Sequence, residues 1–361
     1  MNKSNIIALS LLSSISLQAV NVPNIGDALK EKKDIPQIII EENIPKGVED
    51  GKKIEIKKFL INGAKHISHN KLKSIISSYE NKKLSFKDMK EVTTLITKEY
   101  RQKGYFVARA YIPQQNIIKQ DNNLKISIIE GNYGEFILEN TSLVKSSVVQ
   151  GNLDAIKTEN IVSTNTLERA MLIINDTPGV QVNKAEVKPG EKVGSSDFLI
   201  GAESTKKYSG YILADNYGSQ YTGKHRVMAG ADINSPFKIG DKLSFSALSS
   251  EDAGLLNGRI AYDFPLKSNG LRANLSYSKT TYELGSSYDS LDAVGSSDSI
   301  TLKVTYPYIR SRLENLNLYT DISYNKMNDE IKSTNTETKK DSYVAKIGLD
   351  YTKDQIVFSK N

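Results

Sequence analysis

Thr166 to Lys224 reads TLERAMLIINDTPGVQVNKAEVKPGEKVGSSDFLIGAESTKKYSGYILADNYGSQYTGK. The stretch opens as a helix, turns at Thr177-Pro178-Gly179, and returns through VQVNKAEV and SDFLI as strands. It then enters KYSGYILADNYG, a run that alternates at period two. Before this stretch the chain reads as small helix–strand modules. After it, nearly everything is strand and turn. That hand-over predicts an α+β part joined to an antiparallel transmembrane β-barrel.

Working toward the C-terminus, eight alternating runs follow Lys206: Tyr208 to Asp215, Arg226 to Asn234, Lys242 to Ser249, Asn257 to Phe264, Leu271 to Tyr282, Ser299 to Tyr306, Asn315 to Tyr324 and Ser342 to Tyr351. On the second, Val227, Ala229, Ala231 and Ile233 oppose Arg226, Met228, Gly230 and Asp232. One face suits lipid and the other a polar lumen. Short turns are expected at 235–241, 265–270 and 307–314, with longer outward loops at 283–298 and 327–341. A soluble β-sandwich alternates in the same way and is the structural alternative.

Working toward the N-terminus, residues 132–204 form one module: Phe136 and Leu138 on a strand, a helix from Val144 to Leu153, then a helix capped by Asn165 with Glu168 three residues on. Residues 53–131 form another, strand–helix–helix–strand–strand. Ser68 caps its first helix, Ser85 and Asp88 form a capping box, and Gly104 ends the second helix. Phe106, Ala108, Ala110 and Ile112 then alternate with Tyr105, Val107, Arg109 and Tyr111 as a strand beside Leu124, Ile126 and Ile128. Residues 20–52 read as a tether holding a short helix at Ile25–Lys33. Met1 to Ala19 has the charge, apolar run and small terminal residue of a secretory signal.

Composition agrees with this layout. A mean hydropathy of −0.40 excludes a bundle of membrane helices but not a barrel, whose alternation dilutes the apolar signal. There is no cysteine, so disulfides and thiolate metal sites are excluded. Tyrosine is abundant at 19 residues, which suits membrane interfaces. The net charge of +6 comes without a basic stripe interleaved with stacking aromatics, so no nucleic-acid partner is expected.

The opening stretch resembles the ShlB/FhaC/HecB haemolysin secretion/activation proteins, the outer-membrane partners of two-partner (type V) secretion. The resemblance rests on Leu167-Glu168-Arg169-Ala170, Asn175-Asp176, Pro178-Gly179-Val180, Pro189-Gly190, Gly194-Ser195-Ser196-Asp197, Asp215-Asn216-Tyr217-Gly218 and Thr222-Gly223. Pro178, Gly179, Pro189, Gly190, Asp197, Asp215, Asn216, Tyr217, Gly218 and Gly223 are expected to be structural. GYFVARAYIPQQ and IIEG make 53–131 similar to a polypeptide-transport-associated (POTRA) domain, and 132–204 repeats the plan. The resemblance implies a plug helix beginning near Asn24, and an outer-membrane location with periplasmic modules. It also implies transport of a secreted exoprotein bearing an N-terminal secretion domain. Family members carry about sixteen strands and a VRGY-like loop motif. Neither is found in 205–361, so the chain is expected to hold the N-terminal half of a barrel. A barrel insertase and a binding protein merely anchored by its barrel are the alternatives.

Partner recognition is expected by strand addition to a module edge, with Tyr105, Val107, Arg109 and Tyr111 as one gripping face. Catalysis is not expected. GSQYTGK at 218–224 nearly spells a phosphate loop, but His225 stands where a Ser or Thr would hold magnesium, and a strand follows instead of a helix, so no nucleotide partner is expected. His66 and His69 lack a third metal ligand nearby, and Glu41-Glu42 has no pocket to tune it.

Overall fold

The computed structural model describes residues 35–36, 39–40, 53–158 and 161–354. The expected signal and the helix at 25–33 lie outside them, as does Glu41-Glu42.

In module one, β2 (Ile54–Ile56) pairs with β4 (Lys82–Leu84), and a three-stranded sheet runs β3 (Lys58–Asn62), β6 (Asn123–Ile129), β5 (Arg109–Tyr111). Two helices, α1 (His69–Ile76) and α2 (Phe86–Gln102), complete it. Ser68 accepts from Lys71 N–H, and Ser85 and Asp88 form the capping box. The apolar stripe of α2, with Met89, Val92 and Ile96, seals against Phe59, Leu124 and Ile126. The expected strand from Tyr105 is shorter than its alternation: residues 105–108 turn, and only 109–111 pair with β6. Phe106 leaves its own module and is buried in the core of the next.

Module two has β7 (Asn132–Asn140), α3 (Ser146–Asp154), α4 (Thr164–Asp176), β8 (Gln181–Pro189) and β9 (Ser195–Glu203). Its sheet order is β1–β8–β9–β7, where β1 is Ile39–Ile40 from the tether. Ser163 caps α4, accepting from Thr166 N–H, in place of the expected Asn165. The run Ser163-Thr164-Asn165-Thr166 offers four capping types, and Tyr133 decides between them: its hydroxyl lies 2.5 Å from Thr166 Oγ1 and accepts from Ser163 N–H. The two modules are joined by Thr164 N–H donating to Gly104 O at 2.9 Å and by Val162 N–H donating to Gly131 O at 3.0 Å.

Eight antiparallel strands follow in sequence order: β10 (Tyr208–Asp215), β11 (Arg226–Asn234), β12 (Lys242–Ser250), β13 (Leu255–Pro265), β14 (Arg272–Glu283), β15 (Ala293–Arg310), β16 (Glu314–Ile331) and β17 (Thr336–Lys353). The expected turns at the module end are present, the second displaced by one residue to 266–271 and the third tighter, at 311–313. The expected outward loops are largely strand. Only 284–292 and 332–335 connect these hairpins. Each of β15 to β17 has 18 residues, whereas spanning a bilayer takes about 9–11. Among the described residues no helix is long and apolar enough to cross a membrane.

Candidate functional site

The outer wall of the sheet carries exposed Ile212, Val227, Ile260, Leu275, Ile300, Leu302, Ile322 and Ile347. One register row holds Tyr277, Ile300, Tyr324 and Tyr343, and the row beyond it Lys279, Asp298, Lys326 and Asp341. Tyr277 donates to Asp298 Oδ1 at 2.5 Å and Tyr324 to Asp341 Oδ1 at 2.9 Å. Aromatic rings whose hydroxyls reach a charged row mark the outer interface of the lipid band.

The opposite wall is polar and carries several pairs of opposite charge. Arg226 Nε donates to Asp215 Oδ1 at 2.9 Å, and Arg272 bonds Asp263. Lys346 lies 3.7 Å from Asp321, and Lys340 3.8 Å from Asp329. This wall is the lining that the sheet contributes to a lumen.

Module two docks onto the near ends of these strands. Lys145 N–H donates to Lys238 O at 2.9 Å. Gly240, at φ +76°, has no room for a Cβ, which would meet Thr177 Cγ2 at 2.2 Å. Arg310, in the bulged end of β15, grips Asp176 of α4 with two bonds of 2.6 and 2.8 Å. Arg312 Nε donates to Glu168 at 3.0 Å, and Arg169 Nη2 to Pro307 O at 2.6 Å. Glu168, Arg169 and Asp176 therefore work as a joint between helix and barrel turn. Their sequence positions gave them a place in the motif without showing the cations 134–144 residues away.

The other motif residues occupy turns and the ends of strands. Gly179, after Pro178, packs on Leu143 and Ser235 at the same joint. Pro189 ends β8, and Gly190 N–H donates to Ser195 O in the turn that follows. Asp197 accepts from Glu135 N–H at 2.8 Å beside the irregularity in β7. Asp215 also accepts from Tyr217 N–H, Asn216 lies between them, and Gly218 N–H donates to Lys224 O. Gly223 closes against Glu251. Residues 218–224 are thus a hairpin connection, with β11 following as a strand.

The four residues expected to share a gripping face are divided. Arg109 and Tyr111 stand exposed on β5, an edge strand. Tyr105 packs in module one, its ring centroid 5.8 Å from His66 and 6.0 Å from Tyr100. Val107 packs against the core of module two. His66 serves a latch: Glu130 accepts from Lys65 N–H at 2.7 Å, His66 N–H at 2.9 Å and Tyr100 Oη at 2.8 Å, with His66 Nδ1 2.7 Å away. Burial pushes the Glu130 carboxyl up, but these bonds outweigh it and hold the pKa below the usual glutamate value. Among the described residues no group of three or more His, Asp or Glu is placed to hold a metal.

Comparison with known proteins agrees with this anatomy. Residues 194–358 match the family described as haemolysin secretion/activation protein ShlB/FhaC/HecB, and residues 54–131 match the POTRA domain of ShlB type. The chain is similar to the heme/hemopexin transporter protein HuxB of Haemophilus influenzae strain 86-028NP, 31% identical over 284 residues, 78% of this chain and 49% of the relative. It is 28% identical over 177 residues to the hemolysin transporter protein ShlB of Serratia marcescens, 49% of this chain and 30% of the relative. The fold is that of CdiB from Escherichia coli, with a TM-score of 0.68 and 17% identity over 87% of this chain and 59% of that one. The chain spans about half the length of the first of these relatives, at 49%. With motif order, family matches and fold in agreement, the chain belongs to the haemolysin secretion/activation protein family ShlB/FhaC/HecB, with its sheet in the outer membrane and its modules in the periplasm.

Proposed function

We propose that the chain forms part of a two-partner secretion transporter that moves a large exoprotein from the periplasm to the cell surface. The observation that carries this reading is the direct docking of an edge-bearing module on the turns of a sheet with a polar, charge-paired inner wall. A polypeptide held in extended form at a module edge is delivered to the lumen without crossing lipid. Arg109 and Tyr111 on β5 offer one such edge. The work is transport, not catalysis, and folding of the partner outside supplies the drive. Similarity to transporters of heme/hemopexin and of hemolysin supports an exoprotein as cargo.

The test is deletion of the gene, followed by assay of exoproteins at the surface and in the medium. One large exoprotein should be retained and degraded in the periplasm. If all are still released, the reading fails. A general loss of outer-membrane barrels would instead identify an insertase.

A further inference from the structure

At the end of the sheet far from the modules, the inner wall changes from polar to apolar. Met228 pairs with Leu248, Leu255 with Tyr282 and Ala293 with Ile331, and all of them are buried. They alternate with exposed Val227 and Leu256 on the lipid side, so they face the lumen. Their cover comes from two connections that turn inward: Tyr221 from 216–225, and Leu284, Tyr288 and Leu291 from 284–292. The two connections meet although β12 and β13 lie between their hairpins. The rings of Tyr221 and Tyr288 stand edge-on with centroids 5.0 Å apart, and Gly285 N–H donates to Tyr221 O at 2.8 Å. Each half is also anchored below the join, where Ser250 Oγ donates to Thr222 O and Glu283 N–H to Gly254 O at 2.9 Å.

We infer that residues 216–225 and 284–292 form a strap across the outer end of the lumen wall, which parts between Tyr221 and Tyr288 to let a secreted chain out. The inference rests on the secretion reading. Connections that turned away from the wall would leave its apolar cluster in water; turning inward buries the cluster and obstructs the way out. The join is weakest where it has to open. Among the described residues the two halves share one backbone hydrogen bond, beside the edge-on ring contact. A polypeptide reaching this end carries apolar side chains that can take the place of Tyr221 and Tyr288, so parting the strap does not strip the wall bare. The closed form also carries a cost of its own. Asp329 is buried and accepts from Tyr282 Oη at 2.8 Å through Oδ1. Its Oδ2 has no hydrogen-bond partner, with Lys340 Nζ 3.8 Å away. A buried acceptor left unbonded opposes the state that buries it, and water admitted by the open strap satisfies it.

The chain has no cysteine, so Tyr221→Cys with Tyr288→Cys introduces two thiols and no others. The assay uses the full-length protein in its own outer membrane, with a short, reducible bifunctional thiol reagent added from outside. Bridging the two positions should lower exoprotein release about tenfold or more, because the open state is no longer populated. Reducing the bridge should restore release, which separates the lock from misfolding. A second measurement reads the cover itself. Met228→Cys places one thiol on the buried wall, and a membrane-impermeant maleimide should label it about tenfold faster when Tyr221→Ala and Tyr288→Ala are added. That variant should still release the exoprotein; loss of release would make the two tyrosines part of the barrel's fold and overturn the strap. Unchanged labelling overturns it as well. Complete bridging with unchanged release overturns the strap while leaving secretion intact. If the unbridged protein releases no exoprotein, the secretion reading falls, and with it the strap as a way out.

Discussion

Phe106→Ala tests whether the two modules form one body. The ring is carried by the segment that closes module one, yet it is buried in the core of module two with 8% of its surface exposed. Truncating a buried phenylalanine to alanine costs about 3–5 kcal/mol. A joint between modules relaxes more readily than a closed core, so the low end, about 3 kcal/mol, applies here. That cost falls on the docked arrangement and leaves module one's own packing intact. About 3 kcal/mol multiplies the undocked population roughly a hundredfold. The reporter is the Thr164 amide, which donates to Gly104 O across the joint. Hydrogen exchange on the full chain in detergent should show this amide about a hundredfold faster in the variant. The amides of β6, in the sheet of module one, should be unchanged. Phe106→Leu, which keeps most of the volume, should restore protection. Equal acceleration in β6 would make Phe106 a core residue of its own module, and an unmoved Thr164 would show that the ring does not hold the joint.

Three further outcomes are expected. A double-mutant cycle between Arg310→Ala and Asp176→Ala should give a coupling of about 1 kcal/mol in the stability of docked α4. Asp176 is about half exposed, so solvent discounts the bidentate geometry, and the coupling should shrink in high salt. Module one should lose stability as pH falls below the usual carboxylate range. Glu130 has a depressed folded pKa, so its contribution is complete above the unfolded value of about 4.3 and is lost as pH drops through the folded one. Glu130→Gln should flatten that dependence in acid unfolding of the full chain. Tyr111→Ala should weaken capture of the partner's N-terminal domain by about 1–3 kcal/mol if β5 is a binding edge. Tyr105→Ala should act instead through the thermal stability of module one, because its ring packs beside Tyr100.

Sequence periodicity located every strand of the sheet, because each has one wall in lipid and alternation is strongest there. It failed where that asymmetry ends. Residues 293–298 and 336–341 carry Ser, Asp, Thr and Lys on both faces, so they read as loops although the backbone ladder runs on through them. The segment Phe106 to Tyr111 shows the converse: alternation was real, but it could not say which of two cores Phe106 enters. Docking was illegible for a different reason. Glu168 and Asp176 lie on the polar side of α4, where a solvated acid and a salt-bridged one look alike until Arg310 and Arg312 are placed beside them.

The paired charges on the inner wall bear on how a chain can slide. Arg226 with Asp215 and Arg272 with Asp263 bond across neighbouring strands, and Lys346 stands 3.7 Å from Asp321. On the proposed secretion reading, a passing peptide meets at these positions acids and bases that already face one another, with fewer lone charges on which to bind and stall. It finds instead a surface whose local fields largely cancel within a few ångströms. Such a wall has low friction for cargo of either sign. A longer cargo then adds transit time roughly in proportion to its length, without adding deep traps along the way.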